Sequence, residues 1–98
     1  MKGPVLKHEH VLKVLQDGQR PDGGFGKADA QGSDLESTYR VMRAFVMLKA
    51  RPTNVEGLRS FVAKCRNDDH GYGVRPGEPS GVGPTYYAAI ITHWLAKE

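Results

Sequence analysis

Shifted by 47 residues, the stretch Gln19–Leu48 falls on Arg66–Leu95 without a gap. Asp22 meets Asp69, Gly24 meets Gly71, Gly26 meets Gly73 and Ser33 meets Ser80. Thr38 and Tyr39 meet Thr85 and Tyr86, Leu48 meets Leu95, and Phe25 faces Tyr72, an aromatic for an aromatic. A chain of 98 residues with this much internal repetition is built from two copies of one supersecondary unit. A fixed period of roughly 40–50 residues marks stacked helical hairpins, each burying its apolar face against the next.

Apolar residues at helical spacing define four segments. The first runs from about Val5 to Gln16 and the second from about Leu35 to Lys49, where Pro52 prevents continuation. The third runs from about Val55 to Cys65, with Leu58, Phe61 and Val62 on one face and Asn54 as its N-cap. The fourth starts near Pro84, a good first-turn residue, and continues through Tyr86, Tyr87, Ile90, Ile91, Trp94 and Leu95. No alternating run bounded by hairpin turns signals a strand. The expected fold is all-α: four helices in two hairpins joined by Gly-rich loops. The whole chain, 1–98, reads as one domain, with repeat 1 at about 5–50 and repeat 2 at about 53–96.

Each copy sets an aromatic between two glycines directly after a helix end. Glycine permits left-handed backbone and close approach, so the aromatic folds back onto neighbouring helices. A phosphate-cradling loop is the competing idea. Neither copy is G-x-x-x-x-G-K-[ST], and the pattern follows a helix where a dinucleotide fingerprint follows a strand. The structural reading is preferred.

These residues resemble a known family. "CRNDDHGYGVRPGEPSGVGPTYYAA" (Cys65–Ala89) is similar to the helical-hairpin repeats of protein prenyltransferase β-subunits. The shared features are a Cys at the outer-helix end, Gly-aromatic-Gly, Pro-Gly, and Pro-Thr-Tyr opening the next helix. "QRPDGGFGKADAQGSDLESTYRVMRAF" (Gln19–Phe45) is a second such repeat. Through Gln19, Gly24 and Phe25 it also resembles the glutamine-plus-aromatic repeats of squalene and other triterpene cyclases. The resemblance implies an α/α toroid whose inner helices line a greasy funnel for an isoprenoid chain. The helices starting near Glu36 and Pro84 would be inner, and those starting near Val5 and Val55 outer. Two hairpins make only a partial barrel. The chain is then a fragment or remnant of a larger toroid, or it assembles as a homo-oligomer. Leu35, Val41, Phe45 and Leu48 on one inner helix, and Ile90, Ile91, Trp94 and Leu95 on the other, are expected to form bare apolar flanks.

The implied reaction class is prenyl transfer to a thiol held on zinc, which stabilises a thiolate near neutral pH. The family's zinc positions fall here on Glu36, Thr38 and Thr85, of which only Glu36 ligates zinc well. Cys65 stands at an outer-helix end, His8 and His10 point to different sides of a helix, and His70 and His93 lack partners at metal spacing. No cofactor or metal site is expected. Asp68-Asp69 lacks the third Asp of a diphosphate–magnesium motif and reads as a solvated turn, and no acid-catalytic Asp-rich motif or Ser-His-Asp arrangement stands out. Whether the chain is an enzyme stays open, with catalytic residues unknown. Binding is the better-supported role. Tyr39, Tyr86 and Tyr87 would present rings at a funnel mouth and Trp94 with Ile90 a wall; the bland alternative is inter-hairpin core. Lys27, Arg40, Arg43 and Arg75 would meet a diphosphate, or are ordinary surface. The other functional class is a non-catalytic repeat module for self-assembly or protein docking.

Charge bounds the partners. Fourteen Lys and Arg against 11 Asp and Glu give +3, which suits an anionic small molecule or partner; the family resemblance implies an isoprenoid diphosphate or another apolar small molecule. No basic block argues for nucleic acid. No run approaches the roughly 20 apolar residues of a membrane span, and charge interrupts the start before any signal-like stretch. A single cysteine excludes an intrachain disulfide and makes a reducing cytoplasm the expected location.

Overall fold

Four helices alternate with loops in a computed structural model that describes the backbone of residues 3–27 and 32–96, with side chains from residue 9 onward. They are α1 (Gly3–Asp17), α2 (Leu35–Met47), α3 (Val55–Lys64) and α4 (Val82–Ala96). Among the described residues only two isolated bridges, Arg66–Tyr72 and Tyr72–Gly81, have strand character. Asp34 caps α2 by accepting from the Ser37 amide at 2.7 Å, and Asn54 caps α3 by accepting from the Gly57 amide at 2.8 Å. α4 begins two residues before Pro84. Pro84 is tolerated there because the first amides of a helix have no intrahelical acceptor to lose.

The expected inner helices pack against each other. α2 lies along α4, α1 pairs with α2, and α3 with α4. The α2–α4 seam buries Leu35, Met42 and Phe45 from one helix and Ala88, Ile91 and Leu95 from the other. Leu58, Phe61 and Val62 of α3 complete the core, and Phe25 enters it from the first loop with its ring 6.1 Å from that of Phe45. Four residues expected on bare flanks, Leu35, Phe45, Ile91 and Leu95, are therefore core. α4 is apolar nearly all round, so periodicity alone does not say which stripe of it meets α2. Among the described residues, the large apolar side chains left exposed are Val11 and Val14 on α1, Val46 and Met47 on α2, and Val82 and Tyr86 on α4.

The two loops share one hydrogen-bond pattern, offset by the sequence repeat. The Asp22 carboxylate accepts from the Gly24 amide at 2.9 Å and the Ser33 hydroxyl at 2.6 Å. The Asp69 carboxylate accepts from the Gly71 amide at 2.9 Å and the Ser80 hydroxyl at 2.7 Å. The Thr38 hydroxyl accepts from the Phe25 amide at 3.0 Å, and that of Thr85 from the Tyr72 amide at 2.9 Å. Backbone bonds from Arg20 to Gly24 and from Asn67 to Gly71 close the same turn in both. The Gly-aromatic-Gly pattern follows from this packing. A Cβ on Gly24 would stand 2.7 Å from the Phe61 ring and 2.8 Å from the Ser33 Cβ, and one on Gly71 would stand 2.8 Å from the Ser80 Cβ.

A second set of contacts joins the hairpins. The Gln19 side-chain amide donates to the Asn54 carbonyl at 2.8 Å and accepts from the Asn54 amide at 2.9 Å. Gly23, at φ 94°, lies so close to Gly57 that a Cβ would meet its carbonyl at 1.9 Å. The Leu35 amide donates to the Val74 carbonyl at 2.8 Å, tying the second loop to the start of α2.

Thr38 is fully buried, so replacing it with Val leaves the Phe25 amide without a partner or water. Thr38→Val is expected to cost about 1–3 kcal/mol, and Thr38→Ser much less. Thr85→Val should cost less than Thr38→Val, because the Tyr72 amide is only part-buried. Urea unfolding of the three variants checks the order.

Candidate functional site

Four rings converge along the α2–α4 seam, Tyr39 from the start of α2, Tyr86 and Tyr87 from the start of α4, and Trp94 from its last turn. Tyr39 stacks on Tyr87 at a centroid distance of 4.7 Å and an interplanar angle of 25°. It also stacks on Trp94 at 5.6 Å and 16°. Tyr86 lies tilted over Tyr39 at 6.4 Å and edge-on to Tyr87 at 6.1 Å. Helical geometry explains the convergence. Tyr87 and Trp94 are seven residues apart and share a face of α4, and Tyr39 projects from α2 between them. The Thr38 clasp sits beside Tyr39 and the Thr85 clasp beside Tyr86, so the structures that hold the loops also fix the first turn of each inner helix. Tyr39, Tyr87 and Trp94 are half-buried and Tyr86 is exposed. The cluster is thus a partly open aromatic wall, neither closed core nor isolated surface. Each ring pair contributes about 0.5–1.5 kcal/mol beyond the area it buries.

The other candidates are placed differently. Thr38 and Thr85 carry the loop clasps, so their hydroxyls are committed to Phe25 and Tyr72 rather than offered to a ligand. Glu36 accepts from Arg40 at 2.9 Å, an exposed i,i+4 pair worth no more than about 1 kcal/mol. Arg43 is exposed one turn beyond Tyr39. Lys27 and Arg75 are exposed on the two loops. Arg75 follows Val74, whose carbonyl takes the Leu35 amide, so it stands at the entrance to α2. His8 lies outside the described side chains.

This donor set does not fit zinc. It consists of one carboxylate paired with Arg40 and two hydroxyls bonded to loop amides. Among the described residues no group of three or more His, Cys, Asp or Glu is placed to hold a metal. Cys65 is wholly buried at the end of α3, and burial, reinforced by the Asp22 and Asp34 carboxylates, pushes its thiol up to about 12. It is a neutral core side chain, not a nucleophile. Asp68 and Asp69 lie in an exposed turn, as expected, and the Asp69 carboxylate is bonded within it to the Gly71 amide and the Ser80 hydroxyl. The Ser80 hydroxyl and the Gly71 amide hold its carboxyl below the usual carboxylate value. The signal in the sequence was its recurrence as Asp22 at the repeat spacing.

A raised thiol value in the folded state means the fold binds the Cys65 proton more tightly than the unfolded chain does. The stability from this group is complete below the ordinary value of 9.0 and is lost as pH rises toward about 12. In native protein at pH 8, iodoacetamide is accordingly expected to leave Cys65 unmodified, while urea-unfolded protein is alkylated rapidly; mass spectrometry reads both. No helix among the described residues is long and apolar enough to cross a membrane. A family model described as the prenyltransferase alpha-alpha toroid domain matches residues 4–97.

Proposed function

Because the chain belongs to the prenyltransferase alpha-alpha toroid family, we propose that it supplies two hairpins of wall to a toroidal cavity that binds an isoprenoid diphosphate. The observation that carries this reading is the ring cluster of Tyr39, Tyr86, Tyr87 and Trp94, built from both inner helices along their seam. An isoprenoid chain is a flat, unsaturated hydrocarbon, and half-buried aromatic faces bury it with little side-chain entropy to lose. Lys27 and Arg75, on the loops beside the helix starts, are the charges assigned to the diphosphate. Arg40 is already held by Glu36, whose carboxylate opposes an anion; Thr38 and Thr85 position the wall from behind. The chain then contributes binding surface to prenyl transfer, and any chemical step draws residues from elsewhere in a completed ring.

The same reading makes the chain part of a larger assembly, which covers Val11, Val14 and Met47. That assembly does not grow head to tail from the second loop. Where the first loop presents Gln19 and Gly23 to the next hairpin, the second presents Arg66 and His70. Arg66 donates only and cannot copy the two-way amide pairing, and a Cβ at position 70 occupies the space that Gly57 fills against Gly23. The partner therefore meets the α1–α2 edge, as a second copy or as further hairpins of a longer toroid.

Trp94 is the sole tryptophan and sits in the stack, so its fluorescence reports directly on the wall. Farnesyl diphosphate is expected to quench it saturably, and Tyr39→Ala to weaken binding about tenfold, equivalent to about 1.4 kcal/mol. Light scattering on the same samples should give a discrete mass above 10.8 kDa. No saturable change below millimolar ligand would overturn the binding reading, and a monomer or an open-ended ladder of masses the assembly reading.

A further inference from the structure

At the opposite end of the α2–α4 seam from the ring cluster's first turns lies a cleft of about 380 Å³ between the C-terminal turns of the two helices. Its apolar lining includes Met42, Val46, Trp94 and Leu95, and its polar lining includes Lys49, Arg51 and the His93 ring. No carboxylate is among the described lining residues. A volume above about 300 Å³ is within the range of small-molecule sites.

Helix C-termini ordinarily repel anions, because their last carbonyls lack partners. Here three of those carbonyls, of Phe45, Val46 and Leu95, have partners. The Lys49 amide donates to the Val46 carbonyl at 3.1 Å and the Ala50 amide to the Phe45 carbonyl at 2.9 Å, closing a Schellman turn on α2. At the end of α4, Arg59 donates to the Leu95 carbonyl at 3.0 Å and Arg51 approaches it at 3.5 Å. The residue that takes the left-handed position of the Schellman turn is Lys49, at φ 57°, where glycine is the usual occupant. A lysine in a conformation that suits glycine, at the rim of a cleft whose described lining holds no carboxylate, is a backbone outlier with a charge beside it.

The geometry points to a second binding site for an anionic amphiphile, an apolar body laid on Met42, Val46 and Trp94 and ending in a carboxylate or phosphate at Lys49 and His93. The site does not depend on the isoprenoid reading, since it uses other residues of α2 and α4, with Trp94 as their common border. Lys49 is the residue that separates binding from folding. Glycine fits its backbone better, so Lys49→Gly removes the charge while leaving the turn intact or firmer.

The test is a titration of the full chain with decanoate, decyl phosphate and decanol below their aggregation limits, read by the methyl NMR signals of Met42 and Val46. Saturable shifts confined to the cleft are expected with decanoate or decyl phosphate. Binding of only one of these identifies the head group and still supports the site. Lys49→Gly should weaken the anion at least tenfold with its urea midpoint unchanged or raised, and Lys13→Ala, on the exposed face of α1 and away from the cleft, should leave it within twofold. Decanol binding as tightly as decanoate, Lys49→Gly binding undiminished, or shifts spread over the whole molecule would each overturn the proposal.

Discussion

Two threonine hydroxyls hold the rest of this structure in register. Each reaches thirteen residues back along the chain, from the first turn of an inner helix to the amide of the aromatic in the preceding loop. A loop of that length gains little from its own backbone, and an amide brought to the edge of the core must find a partner there. The threonine supplies it, the aspartate and serine tie the glycine turn beneath, and the aromatic ring is then delivered into the core. With Phe25 in place, the α2–α4 seam closes over Phe45, Phe61 and Ile91. With the first turns of α2 and α4 fixed, Tyr39, Tyr86, Tyr87 and Trp94 come within stacking distance. The candidate site is a consequence of the loop clasp.

The two copies agree inside each hairpin and differ where hairpins meet. The Asp, Ser and Thr of the clasp recur without change. Gln19 and Gly23, which face the next hairpin, are replaced by Arg66 and His70, which bond to each other at 2.7 Å. His70 takes the left-handed backbone that Gly23 takes, at φ 72°, a conformation histidine tolerates better than most side chains.

Much of the fold was legible in the sequence, because a 47-residue shift that aligns Gly, Ser and Thr leaves few architectures open. The hairpin repeat follows from it, the four helices from apolar periodicity, the N-cap at Asn54 from its place before Val55, and the toroid class from the family resemblance. The onset of α4 at Val82 was less legible, since a proline within the first turn does not mark which residue begins it. Burial was misjudged at Leu35, Phe45, Ile91 and Leu95 for a physical reason. Helical spacing identifies an apolar stripe but not its partner, and the partner here is the other inner helix. In the candidate site, Tyr39, Tyr86 and Tyr87 were legible as helix-start aromatics, whereas the stacking of Trp94 on Tyr39 depends on the stagger of α2 against α4. The roles of Asp22 and Asp69 were visible only as a recurrence, and Thr38 and Thr85 sat at the positions where the family resemblance directs attention to a metal.

The dependence of the fold on the clasp is measured most directly by amide hydrogen exchange, residue by residue, on the native protein. If the hydroxyls of Thr38 and Thr85 hold the loops, the Phe25 and Tyr72 amides are protected to the level of the α2 and α4 backbone, although neither lies in a helix. Exchange of those two amides at the rate of the exposed loop residues around Arg75 and Gly77 would contradict the account.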